Sequence, residues 1–128
     1  MRLLLDTHAL IWLFLGDERL TAKVRAQVVV PGTTTFLSAV SAMEIATKHR
    51  LGKLPEAHEL ATKLDALAQE QGLLELPVTV AHATLAGSLK IRHKDPFDRL
   101  LIAQARIEQL ALVSNEKAFD AFGVTRLW

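Results

Sequence analysis

Short apolar runs alternate with helical stripes along the whole chain. Leu3 to Leu5 is an uninterrupted apolar run that stops at Asp6, the pattern of a central parallel strand covered on both faces. Thr7 to Leu15 then predicts a helix, ended by Gly16 and Asp17. Thr21 stands where it can cap a second helix running to about Val30, before Pro31-Gly32. Thr34 to Leu37 is rich in β-formers and predicts a second strand. Ser38 and Ser41 offer caps for a helix to about Leu51, with Gly52 at its end. Beyond Pro55, Leu60, Leu64, Leu67 and Ala68 make a helical stripe that Gly72 terminates. Leu73 to Leu76 predicts a short strand and Thr79 to Leu89 a helix. Asp95-Pro96 opens a helix from Phe97 to about Gln109, proline being favoured at a first helical position. A strand over Leu110 to Val113, a short helix from about Lys117 to Phe122 and a last strand over Val124 to Leu127 complete the pattern. Strands alternating with helices predict an α/β fold, a three-layer α/β/α sandwich around a central parallel sheet with right-handed crossovers. No repeat, linker or low-complexity tract interrupts residues 1–128, so a single domain is expected.

Composition narrows the chemistry. Half of the residues are hydrophobic, enough for a sizeable core at 128 residues. A net charge of +1 carries no global field, so any grip on nucleic acid must come from local basic patches. The absence of cysteine excludes disulfides and thiolate zinc sites, and a reducing cytoplasm is expected. Arg2 followed by leucines superficially suggests a signal peptide, but Asp6 and His8 interrupt the run and no small-residue cleavage pattern follows. The stretch is also too short to span a bilayer, so no membrane association is expected.

Four acids fall where apolar runs give way to polar segments: Asp6, Glu44, Asp98 and Glu116. In an open α/β sheet such positions converge on one crevice. Carboxylates gathered there form an oxygen-rich cage suited to Mg²⁺ or Mn²⁺ rather than zinc. Each acid has a structural alternative. Asp6 can cap the first helix. Glu44 completes a Ser41-x-x-Glu44 capping box and pairs with Lys48 at i,i+4. Asp95 and Asp98 both suit a helix start, and we assign the cap to Asp95 and the metal to Asp98. Glu116 can be a solvated first-turn acid, with Asn115 as a supporting ligand or substrate contact. Four acids at successive crossovers carry more weight than any one, because crowded like charges repel unless a cation neutralises them.

The remaining motifs exclude other chemistries. The five histidines form no HxxxH or HxH pair. No phosphate-cradling glycine loop and no GxSxG elbow is present. Asp6-Thr7-His8 lacks the second aspartate of aspartyl-phosphate phosphatases. Ser38 and Ser41 read as helix-start residues, with a hydroxyl contact to the acidic site as the weaker alternative. Lys48, Arg50 and Lys53 follow Glu44, and Arg92, Lys94 and Arg99 flank Asp98. Such groups solvate a surface or guide a polyanion into an acidic pocket, and Arg99 has a further option, holding its loop through a local carboxylate.

LLLDTHALIWL, EI-x-x-K around Glu44, DPFDRLLIAQA and LVSNEKAF, in this order and spacing, together resemble the PIN-domain family, and within it the VapC-type toxins of bacterial toxin–antitoxin pairs. The resemblance covers almost the whole chain. It implies a PIN-like nuclease domain, an endoribonuclease dependent on Mg²⁺ or Mn²⁺, with Asp6, Glu44 and Asp98 as core acids and a fourth at position 116. Members usually carry Asp at that last position. Glu116 is one methylene longer, which leaves open whether it ligates metal, acts through water or is idle. The resemblance also implies a homodimer, RNA as substrate, and inhibition by a small antitoxin whose tail enters the acidic groove. Two other functions are open to the same residues: a nuclease directed at DNA, and a catalytically idle module that binds nucleic acid or a partner.

Overall fold

The computed structural model describes residues 1–92 and 95–128. Five parallel strands form one sheet in the order β3-β2-β1-β4-β5: β1 (Arg2–Leu5), β2 (Thr34–Ser38), β3 (Leu74–Leu76), β4 (Ala111–Val113) and β5 (Arg126–Leu127). The helices are α1 (Thr7–Leu15), α2 (Ala22–Val28), α3 (Ala39–Arg50), α4 (His58–Glu70), α5 (Val80–Ser88) and α6 (Pro96–Glu108). The three consecutive leucines of β1 show why the sheet is sandwiched. Side chains alternate across a strand. Leu3 and Leu5 accordingly enter one core with α1, α2 and α4, while Leu4 enters a second core with α6, Leu112 and Phe119. All three leucines are fully buried.

Local signals set most boundaries. The Asp6 side chain accepts a hydrogen bond from the Ala9 N–H and caps α1, and Gly16 closes that helix in the left-handed region (φ 65°) that glycine adopts without a Cβ penalty. Thr21, Ser38, Thr79 and Asp95 cap α2, α3, α5 and α6 through their side-chain oxygens. Four expectations are corrected. Helix α2 ends at Val28, two residues before Val30. Because Ser38 takes the cap of α3, Ser41 lies inside the helix, and the Ser41–Glu44 capping box does not form. Residues Lys117–Phe122 wind as a 3₁₀ helix rather than an α-helix. The last strand is confined to Arg126–Leu127.

The sheet's register positions the site. Leu5 stands opposite Leu37 on one side and Val113 on the other. The residues that follow, Asp6, Ser38 and Ser114, therefore reach the carboxyl edge of the sheet together. The chain runs outward from β1 to β2 and β3, then returns to place β4 against the other side of β1. The strand order thus reverses between β1 and β4, the place where ligands enter open α/β sheets. The Asp6 N–H donates to the Val113 carbonyl at 3.0 Å and clamps the two strand ends.

Arg99, in the first turn of α6, ties that helix to the end of α5. Its guanidinium donates to the carbonyls of Leu89 (2.6 Å) and Ala86 (2.9 Å), with longer bonds to Gly87 and Ile91 at 3.4 Å. Arg99 therefore holds its loop through these carbonyls. Charged donors to carbonyls are worth more than neutral ones. Arg99→Met should destabilise the fold by about 2–3 kcal/mol, read as a lower urea midpoint.

Candidate active site

Asp6, Glu44, Asp98 and Glu116 come from four different elements and gather where β1 and β4 end. Asp6 follows β1 and is buried; its Oδ1 accepts from the Ala9 N–H at 2.7 Å. Glu44, in the middle of α3, is buried too. Asp98 sits at the third position of α6, behind the Asp95 cap. Glu116 stands two residues beyond Ser114 on the loop after β4 and is partly exposed.

Asp98 lies within electrostatic reach of the other three acids. The Asp98 carboxyl is pushed up to about 7, first by desolvation and then by the carboxylates of Asp95, Glu116, Glu44 and Asp6. Burial raises the Asp6 carboxyl as well; the Ser114 hydroxyl, the Ala9 N–H and His8 lower it in part, and Glu116 raises it further. Coupling of this kind requires proximity, since exposed charges more than a Debye length apart are largely screened.

Hydrogen bonds fix the rim. Glu44 Oε2 accepts from Lys48 Nζ at 2.7 Å, the i,i+4 pair expected on this helix. Its other oxygen, Oε1, is buried and has no hydrogen-bond partner among the described residues. Native proteins rarely leave such an acceptor unsatisfied. Replacing Lys48 by Met would leave the whole buried carboxylate uncompensated, at a cost of about 1–3 kcal/mol, measurable by urea unfolding of metal-free protein.

Three residues beyond those singled out in the sequence, Ser114, Thr7 and His8, lie beside these acids, together with Ser41. The Ser114 hydroxyl accepts from the Glu116 N–H at 3.0 Å and lies near enough to Asp6 to lower its carboxyl, so it stands between two of the acids. Thr7 and Ser41, both buried, share a hydroxyl–hydroxyl bond of 3.0 Å that ties α1 to α3. His8 places Nδ1 3.8 Å from Glu116 Oε1 and stacks on Trp12. A signal for Ser114 was present: it follows β4 directly, as Asp6 follows β1. The His8–Trp12 spacing of four residues also puts both on one helical face. Of the basic candidates, Arg50 and Arg92 are exposed and Lys48 is bound to Glu44. Asn115 is exposed. Lys94 lies outside the described residues.

A set of carboxylate oxygens with one buried acceptor unsatisfied fits a hard divalent cation. As the side chains stand, no three Asp, Glu or His among the described residues close around a common point. The fit therefore rests on donor chemistry and on the Glu44 oxygen.

Residues 3–124 match the family model of the PIN domain. The chain belongs to the PIN-domain family. PIN nucleases generally use a divalent metal. Solved structures with the same fold span essentially the whole PIN domain. A chain of the VapBC2 complex from Rickettsia felis, bound to a DNA fragment from its promoter, superposes with a TM-score of 0.72 at 18% identity, covering 100% of this chain and 98% of that one. Mycobacterium tuberculosis VapC20, a toxin that cleaves the sarcin–ricin loop, gives 0.68 at 18% identity with 98% of each chain covered. FitAcB from Neisseria gonorrhoeae gives 0.68 at 20% identity, covering 100% and 97%. At these identities the likeness shows the fold. No curated protein matches the sequence. Among the described residues of this PIN domain, no helix is long and apolar enough to cross a membrane.

Proposed function

We propose that this PIN domain is a metal-dependent endoribonuclease and the toxin of a toxin–antitoxin pair. The observation that carries the nuclease reading is the approach of Asp6, Glu44 and Glu116 to Asp98 at the switch point, where burial first and then the neighbouring carboxylates raise Asp98 to about 7. The toxin assignment is supported by the structural neighbours, which include VapBC and Fit toxin–antitoxin proteins, together with the sequence motifs. Asp6, Glu44 and Asp98 are the residues that would hold Mg²⁺ or Mn²⁺, with Glu116 at the rim. When bound, such an ion supplies charge neutralisation and an acidified water.

The chain's own groups do the positioning. Ala9 N–H fixes the Asp6 carboxylate, Lys48 fixes one oxygen of Glu44, and Arg99 anchors the segment from which Asp98 projects. Exposed Arg92, on the segment leading into α6, suits a polyanion approaching the acidic edge, whereas Arg50 ends α3 a helix length from that edge. Water attacks phosphorus in line. The bond to the 3′-oxygen breaks, a proton passes to that oxygen, and a 5′-phosphate and a 3′-hydroxyl result. The reaction does not use the RNA 2′-hydroxyl, so preference for RNA comes from strand shape and base contacts. The protein works in the cytoplasm as a homodimer and is held inactive by a small antitoxin.

The test is digestion of mixed cellular RNA, with DNA in parallel, by purified protein in Mg²⁺, in Mn²⁺ and in EDTA. Discrete metal-dependent RNA products are expected. Preferential cutting of DNA would move the assignment to a DNA-directed nuclease. Folded, antitoxin-free protein that cuts neither would make the domain a binding module.

A further inference from the structure

Next to the acidic edge lies an aromatic cluster that the cleavage chemistry does not use. His8 and Trp12, one turn apart on α1, stack with ring centroids 5.7 Å apart and planes 26° from parallel. The Trp12 ring is braced from two further directions. Trp128 packs its edge against it at 6.0 Å, and the Arg19 guanidinium lies over it at 5.0 Å, itself held by Asp17. Trp12 is buried beneath these groups, whereas the His8 side chain is 47% exposed. Glu116 Oε1 stands 3.8 Å from His8 Nδ1, too long for a hydrogen bond and close enough for attraction whenever the imidazole is protonated. The extra methylene of Glu116 thus takes its carboxylate out to the imidazole at the rim.

We infer that His8, backed by Trp12 and steadied by Glu116, is a shelf on which one unpaired nucleobase of the substrate stacks beside the bond to be cut. The inference deepens the nuclease reading and rests on it. The physical argument has three parts. An imidazole face stacks on bases as other aromatic rings do. A ring already stacked on Trp12 loses less side-chain entropy on binding than a free one. The shelf begins two residues after Asp6, so a base lying on it belongs to a nucleotide whose phosphate is within reach of the acids. Stacking accepts any base, so the shelf selects unpaired strand over duplex rather than a sequence.

The experiment uses the full chain with Asp6→Asn, which removes turnover, in Mg²⁺ buffer. Fluorescence anisotropy measures binding of a labelled single-stranded RNA octamer and of versions carrying one abasic nucleotide at each position in turn. His8→Ala in this background should weaken binding of the intact RNA at least about fivefold. One abasic position should weaken binding of the Asp6→Asn protein by a similar factor. Combining that abasic RNA with His8→Ala should add nothing further. His8→Phe, which keeps the flat face and loses the nitrogens, should stay within about twofold of His8. Both tryptophans of the chain belong to the cluster, so intrinsic fluorescence should change with intact RNA and not with that abasic version. Unchanged binding in His8→Ala, or equal weakening by Ala and Phe, overturns the shelf. If the wild-type protein cuts RNA in that case, the nuclease reading stands without it. RNA bound by no variant and cut by no protein overturns both.

Discussion

Asp6→Asn is expected to lose at least about a hundredfold in RNA cleavage, a loss that even partners of metal ligands produce when removed, while its fold is kept. Asp6 has two jobs that a single substitution can separate. Its Oδ1 caps α1 through the Ala9 N–H, and its charge faces the other acids. Asparagine retains a cap oxygen of similar quality and abolishes the charge. Burial makes that charge costly in the metal-free protein, so Asp6→Asn should unfold at the same temperature as the parent or higher. Asp6→Ala should lose as much activity and in addition about 1 kcal/mol of helix capping. The two variants together decide between the readings of this residue: a cap alone predicts an active Asp6→Asn, a charge alone predicts equal stability for Asn and Ala. Initial rates on a fixed RNA and thermal melts of the three proteins suffice.

Much of this architecture could be read from period and punctuation. Leu3–Leu5 flanked by Asp6 marks a central strand because burial on both faces leaves no polar position to spare, and Thr21, Ser38, Thr79 and Asp95 announce helix starts through cap chemistry. Strand-end logic accounts for Asp6 and Glu116, which follow β1 and β4, but not for Glu44, which lies in the middle of α3, or Asp98, on a helix that follows α5 rather than a strand. What local pattern could not supply was anything decided by tertiary register. Both Ser38 and Ser41 satisfy the cap rule; only the length of β2, set by pairing with β1 and β3, decides for Ser38 and sends Ser41 inward to Thr7. The fate of Arg99 depended on where the carbonyls of α5 end, twelve residues away in sequence and adjacent in space. In the sequence His8 is a lone histidine without a ligand-spaced partner, whereas its environment is made by Trp12, Trp128 and Glu116 from both ends of the chain. Glu116 was the ambiguous acid in the sequence, and its half-exposed position beside His8 explains why a longer side chain fits there.

The metal-free protein should become less stable as pH rises from about 4 to about 7, and added Mg²⁺ or Mn²⁺ should reverse that trend. Asp98 binds its proton with a pKa of about 7 in the folded chain against 3.8 as a free side chain. Between those values the native state holds more protons than the unfolded state, so unfolding free energy falls with increasing pH and levels off above 7. The buried Asp6 carboxyl is shifted in the same direction and adds to the slope. Because Asp98 is only partly buried, solvent screening reduces its share to about 1–2 kcal/mol across the window. A divalent cation binds the deprotonated carboxylates, so affinity should climb with pH through about 7, with proton release on binding, and the metal-induced rise in melting temperature should be larger at pH 8 than at pH 6. Cleavage should rise over the same interval, since the acids must be ionised before the ion is held. Asp98→Asn tests the origin of the effect: its melting temperature should vary less between pH 4 and 7 in EDTA, and most of the metal-induced stabilisation should vanish. A wild-type protein whose stability in EDTA increases from pH 4 to 7 would show that neither burial nor the neighbouring carboxylates raise Asp98 in the folded state, and the acidic cluster would lose its claim to a cation.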